Sequence, residues 1–98
     1  MSEPLLHEKL NTETARIGWR ELQPHFARGA AVYVAPDLDL IEVARQMAAD
    51  DTAALKPLMD AGRFDVVSET QAQQFFDEDR DMWAVVVAPW VLVQPCRD

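Results

Sequence analysis

Apolar and polar positions alternate along the chain in short segments, punctuated by Gly, Pro and Asp. Leu5, Leu6 and Leu10 give residues 4–15 one apolar edge, which predicts a first helix. A second helix is better marked. Gly18 stands at its N-cap, Glu21 at its third position, and Ile17 and Leu22 at the two positions of a hydrophobic staple. Trp19, Leu22 and Phe26 then share one face, and Gly29 suits a left-handed helix end. Pro24 removes an internal donor, which predicts a kink or a break. Val32, Tyr33 and Val34 mark a strand over residues 30–35, closed by Pro36. Asp39 followed by Glu42 has capping-box spacing with Leu38 and Val43 as its staple, so residues 40–49 form a helix with Leu40, Val43, Ala44 and Met47 inward. Asp50 or Asp51 caps a shorter helix over 52–61, kinked at Pro57 and ended by Gly62. Residues 63–67 read as a short edge strand. Ser68 and Gln71 cap a last helix over 69–77 that turns Ala72, Phe75 and Phe76 inward, and an acidic turn over 77–81 follows.

The segment 83–94, Trp-Ala-Val-Val-Val-Ala-Pro-Trp-Val-Leu-Val-Gln, is the most apolar stretch and reads as a buried strand. Pro89 cannot donate to a ladder, so the expectation is a strand kinked there, 83–88 and then 90–94. A tight hairpin through Ala88 and Pro89 is the alternative, although the Asn-Gly or Gly residues that such turns prefer are missing. Val-x-Val-Ala-Pro occurs at 32–36 and again at 85–89. Chance similarity explains two copies of a pattern built from common strand residues, yet both copies nominate strands of one sheet. These elements predict a single α+β domain over 1–98, with four or five helices packed on a small sheet of two to four strands that includes 30–35 and 83–94.

Composition narrows the function by exclusion. The 98 residues carry a net charge of -8, and all of it lies beyond Ala30, because four Lys or Arg balance four Glu before that point. Such a surface repels phosphate backbones, which argues against direct nucleic-acid binding and favours a basic protein partner. No secretory leader is visible, and the longest apolar run, 82–93, falls short of the roughly 20 residues a membrane helix needs. A cytoplasmic location is expected. The single Cys96 has no disulfide partner within the chain.

Candidate chemistry is sparse. Asp77-Glu78-Asp79-Arg80-Asp81 has the opening spacing of a calcium loop, but Met82 replaces the required Gly and Ala88 the required acid. His7 and His25 lack ligand-spaced neighbours, and the three glycines are dispersed, so no metal, cofactor or phosphate site is expected. Two groupings remain. Asp37, Asp39 and Glu42 stand near the end of the first strand as a candidate carboxylate site, although a helix cap already accounts for two of them. Trp83, Pro89 and Trp90 are candidate contact residues, with Trp83 expected in the core and Trp90 the better placed to anchor a partner.

Residues 14–29, Thr-Ala-Arg-Ile-Gly-Trp-Arg-Glu-Leu-Gln-Pro-His-Phe-Ala-Arg-Gly, together with Asp-Leu-Ile-Glu-Val-Ala at 39–44 and the segment 83–94, resemble an uncharacterised family of small bacterial proteins catalogued as domain of unknown function 2288. The resemblance covers nearly the whole chain, and it implies a bacterial single-domain protein. It supplies no activity, ligand or catalytic residue. The reading is therefore a non-enzymatic interaction or regulatory module, self-associating through an edge strand or the Trp90 neighbourhood. The alternatives are a small hydrolase or transferase using Asp37, Asp39 or Glu42, and an acidic decoy for a basic protein.

Overall fold

The computed structural model describes residues 14–96, and these form nine elements: β1 (Ala15–Gly18), α1 (Trp19–Ala27), β2 (Ala31–Val34), α2 (Leu40–Ala48), α3 (Thr52–Asp60), β3 (Phe64–Val66), α4 (Glu69–Glu78), β4 (Asp81–Val87) and β5 (Trp90–Pro95). The class is α+β, as expected, but the sheet has five strands in the order β1-β4-β5-β2-β3. Two departures raise the count above two to four. Ala15, expected at the end of a first helix, opens β1 instead, while residues 4–13 of that helix lie outside the described residues. The segment 83–94 is not one kinked strand.

It is a hairpin. β4 runs antiparallel to β5 in a register from Val87 opposite Trp90 to Met82 opposite Pro95. Ala88 and Pro89 form the turn, joined by a cis peptide bond, as in the tight turns that carry proline at their third position. Placing Pro89 in the turn takes it out of the ladder, where its missing N–H would have left a gap. β5 then pairs parallel with β2, so the two Val-x-Val segments, in β2 and β4, flank β5 in one sheet.

The alternation along each strand feeds two cores. Met82 and Ala84 of β4, Val91 and Val93 of β5 and Ala31 of β2 pack with Trp19 and Leu22 of α1 and with Ala72 and Phe75 of α4. Val85 of β4, Leu92 of β5 and Val32 and Val34 of β2 pack on the other side with Leu40, Val43 and Ala44 of α2, Leu55 of α3 and Phe64 of β3. Helices thus cover both faces, which is why the central strands read as nearly continuous apolar runs. Trp19 is fully buried and meets Phe75 edge to face at 5.3 Å, but its indole Nε1 has no hydrogen-bond partner.

Local signals explain the helix ends. The Asp39 carboxylate accepts from the Ile41 and Glu42 N–H groups, Asp51 accepts from Ala54, and Ser68 and Gln71 form a reciprocal capping box. Glu42 does not reach back to complete a box with Asp39; it binds Arg45 and Gln46 instead. Gly29 and Gly62 take φ of +75° and +73° just past α1 and α3. Pro24 and Pro57 sit at the sixth positions of α1 and α3 without breaking either. The carbonyls they deprive of a donor, those of Arg20 and Ala53, belong to exposed residues near the helix starts. The expected acidic turn over 77–81 is divided, since α4 runs to Glu78, Asp79 ends it at φ 50°, and Asp81 already belongs to β4.

Candidate functional site

An apolar depression lies where β3, α2 and α3 meet the hairpin turn. It is a cleft of about 200 Å³ lined by Val32, Met47, Met59, Phe64, Val66 and Trp90, with Asp65 at its margin. Strand geometry puts these groups together. Val32 pairs with Val66 across β2 and β3, so both project to the α2 side, as Phe64 and Trp90 do. α2 and α3 cover Phe64 and Val32, but their cover stops short of Val66 and Met59, which remain 47% and 48% exposed. Trp90 is half-buried and packs against the same core. Next to this cleft a second depression runs along α3 past Leu55, Lys56 and Met59, so Met59 stands between the two.

β3 is an edge strand, and its outer side is partly closed. The Arg63 carbonyl accepts from Ala35 and the Val67 N–H donates to Ala31, which turns the backbone groups of Phe64 and Val66 away from β2. The Asp65 carboxylate accepts the outward Val66 N–H at 2.7 Å. A charged side chain on that donor hinders addition of a further strand. The apolar face beside the edge stays open.

Trp83 departs from the core position expected of it, while Trp90 stays half-buried beside the cleft. Trp83 is 40% exposed, because it faces Arg16 of the short strand β1, at the corner of the sheet away from the α2 and α3 core. The Arg16 guanidinium lies over its ring at 5.9 Å and also pairs with Asp81 at 3.2 Å. Both tryptophans project from the same face but lie at opposite ends of the hairpin, about 14 Å apart along β4. They form no joint site. Pro89 is exposed in the turn next to Trp90. Phe76, expected inward, is 37% exposed beneath Arg20, whose guanidinium stacks at 4.5 Å and donates to the Phe76 carbonyl.

Each residue of the candidate carboxylate site has a structural partner. Asp39 caps α2, Asp37 forms an ion pair with Arg63, and Glu42 is held by Arg45 and Gln46. None of the three lines the clefts described above. Among the described residues no group of three or more His, Cys, Asp or Glu is placed to hold a metal ion. No helix there is long and apolar enough to cross a membrane.

Of the residues lining the cleft only Trp90 is a candidate from the sequence; Val32, Met47, Met59, Phe64, Asp65 and Val66 are not. From the sequence, Met47 belongs to an inward stripe of its helix and Val66 to a short edge strand. The available signal was the alternation of Phe64 with Val66, which places two large apolar groups on one side of an edge strand.

Comparison with known proteins places this architecture in a family. The model of the family described as "Protein of unknown function (DUF2288)" matches residues 5–95. The NMR solution structure of PA1075 from Pseudomonas aeruginosa is similar throughout, with a TM-score of 0.86 and 44% sequence identity, over 99% of this chain and 90% of that one. No curated protein matches.

Proposed function

The chain belongs to the DUF2288 family of proteins of unknown function, and we propose that it is a non-enzymatic protein-interaction module whose contact surface is the Trp90 cleft. The observation that carries this reading is the pairing of an apolar cleft with half-exposed Val66 and Met59 on its rim. Exposed apolar groups around a preformed recess mark contact surfaces, and methionines adapt readily to a partner's shape. A second copy of the chain fits this surface. The patch offers both projecting groups and a recess to receive them, with Lys56 and Asp60, paired with each other at 3.4 Å, on its α3 side and Asp65 at the cleft margin. An isologous two-fold contact requires that self-complementarity.

Burying two to four such side chains contributes roughly 1.5–3 kcal/mol each. The loss of translational and rotational freedom offsets several kcal/mol of that. Association is therefore weak, with a dissociation constant between about 1 μM and about 1 mM. Sedimentation equilibrium over that range should show the mass rising from one chain to two, and Val66→Asp should hold the protein monomeric without unfolding it. A monomer at every concentration rejects self-association through this cleft.

A further inference from the structure

The opposite side of the molecule carries a second surface with different chemistry. α1 and α4 leave between them a groove of about 490 Å³ lined by Gln23, Phe26, Ala72 and Phe76, with Glu69 and Gln73 on its rim. A shallower depression of about 590 Å³ continues along α4, past the same Glu69 and Gln73, to Asp77 and Glu78. Two aromatic rings thus sit at the base of a strip edged by carboxylates. α4 itself carries Glu69, Asp77 and Glu78 and no Lys or Arg.

Most carboxylates of the described surface already have a partner within the chain. Asp37, Glu42, Asp60, Glu78, Asp79 and Asp81 each face a Lys or Arg of the chain. Asp39, Asp51 and Asp65 hold backbone N–H groups. Glu69 and Asp77 have no cationic partner among the described residues, as is also true of Glu21 on α1 and Asp50 between α2 and α3; Asp77 only accepts from Gln73. Arg20, stacked on Phe76 and paired with Asp79 at 3.7 Å, already shows that a guanidinium is held at one end of the strip by an aromatic ring and a carboxylate together.

We infer that the α1–α4 groove docks a basic amphipathic segment of another protein, which places one large apolar side chain against Phe26 and Phe76 and Lys or Arg beside Glu69 and Asp77. Complementary charge sets the sign of the partner, and the groove sets its apolar anchor. This surface lies across the sheet from the Trp90 cleft, so it stands or falls separately.

The test uses the whole chain and two synthetic probes: a Leu/Lys amphipathic helical peptide and a Lys-only peptide of equal charge. Titration followed by backbone NMR should show the amphipathic peptide binding at least about tenfold more tightly, a difference of about 1.4 kcal/mol. Shifts should centre on Gln23, Phe26, Glu69, Gln73 and Phe76. Glu69→Lys and Asp77→Lys should each weaken binding about tenfold, while Asp60→Lys, across the sheet, should change it less than threefold. Phe76→Ala should abolish the preference for the amphipathic peptide. Because the two charge reversals lie at exposed positions, they retain the test if Phe76→Ala lowers stability. Equal binding of the two peptides, shifts centred elsewhere, or equal effects of all three charge reversals would overturn the inference. So would loss of self-association in Phe76→Ala, which would assign the groove to a second copy.

Discussion

Gln94 is buried in the middle of an otherwise apolar face, and its side-chain amide donates to the Ala35 carbonyl at 2.9 Å and the Leu38 carbonyl at 2.7 Å. These two bonds fasten the β2–α2 loop to β5, and with it Asp37 and the Asp39 cap. The Ala35 carbonyl also accepts from the Leu38 N–H, so the Leu38 carbonyl depends more heavily on Gln94. Gln94→Met keeps the volume and removes both donors. Leaving a buried carbonyl unsatisfied costs about 1–3 kcal/mol, so the variant should lose about 2 kcal/mol in urea unfolding. A loss below about 0.5 kcal/mol would mean that the loop is held by other contacts. A glutamine at the end of a strand-like run gives no sign of this role, because its partners lie 59 and 56 residues away. The exposures of Trp83 and Trp90 were hidden for the same reason. Each depends on which strand and helix lie alongside, and the residues themselves carry no record of that.

At the level of elements, the helix starts beyond residue 38 and the strands β2 and β3 are readable, since β2 and β3 fall within the expected 30–35 and 63–67, whereas β1 and the hairpin are not. A helix start is written within four residues, as in Asp39-Leu40-Ile41-Glu42 and Ser68-Glu69-Thr70-Gln71, and both starts fall where those patterns put them. β1 has only Ala15, Arg16, Ile17 and Gly18, of which no two consecutive residues favour a strand, and it exists because β4 supplies its ladder. The hairpin carries no glycine in its turn, so the local rule for hairpins passed over it. The capping role of Asp39 also separates the two readings of the carboxylates. As a cap, Asp39→Ser should be nearly neutral and Asp39→Ala should cost about 1 kcal/mol in thermal or urea unfolding. Equal losses for both substitutions would show that the carboxylate does something beyond accepting the Ile41 and Glu42 N–H groups.

For the molecule as a whole, the sheet divides the surface into two sides with unlike character. One side carries the apolar Trp90 cleft, rimmed by both signs of charge, and the other carries the aromatic groove edged by unpaired carboxylates. The chain's net charge of -8 opposes close approach of two copies at low salt. Added salt should therefore strengthen self-association through the cleft, because it screens that repulsion while leaving apolar contact in place. Strand addition at β3 is the competing way to build a dimer, and the Asp65 carboxylate on the Val66 N–H stands against it. The most direct test is an isotope-filtered NOE measurement on a mixture of labelled and unlabelled chains at the concentration where sedimentation shows the doubled mass. The face-to-face contact predicts intermolecular cross-peaks from the Met59 and Val66 methyl groups of one copy to the Trp90 ring of the other. Intermolecular contacts confined to the Phe64–Val66 backbone, or none involving Trp90, would contradict it.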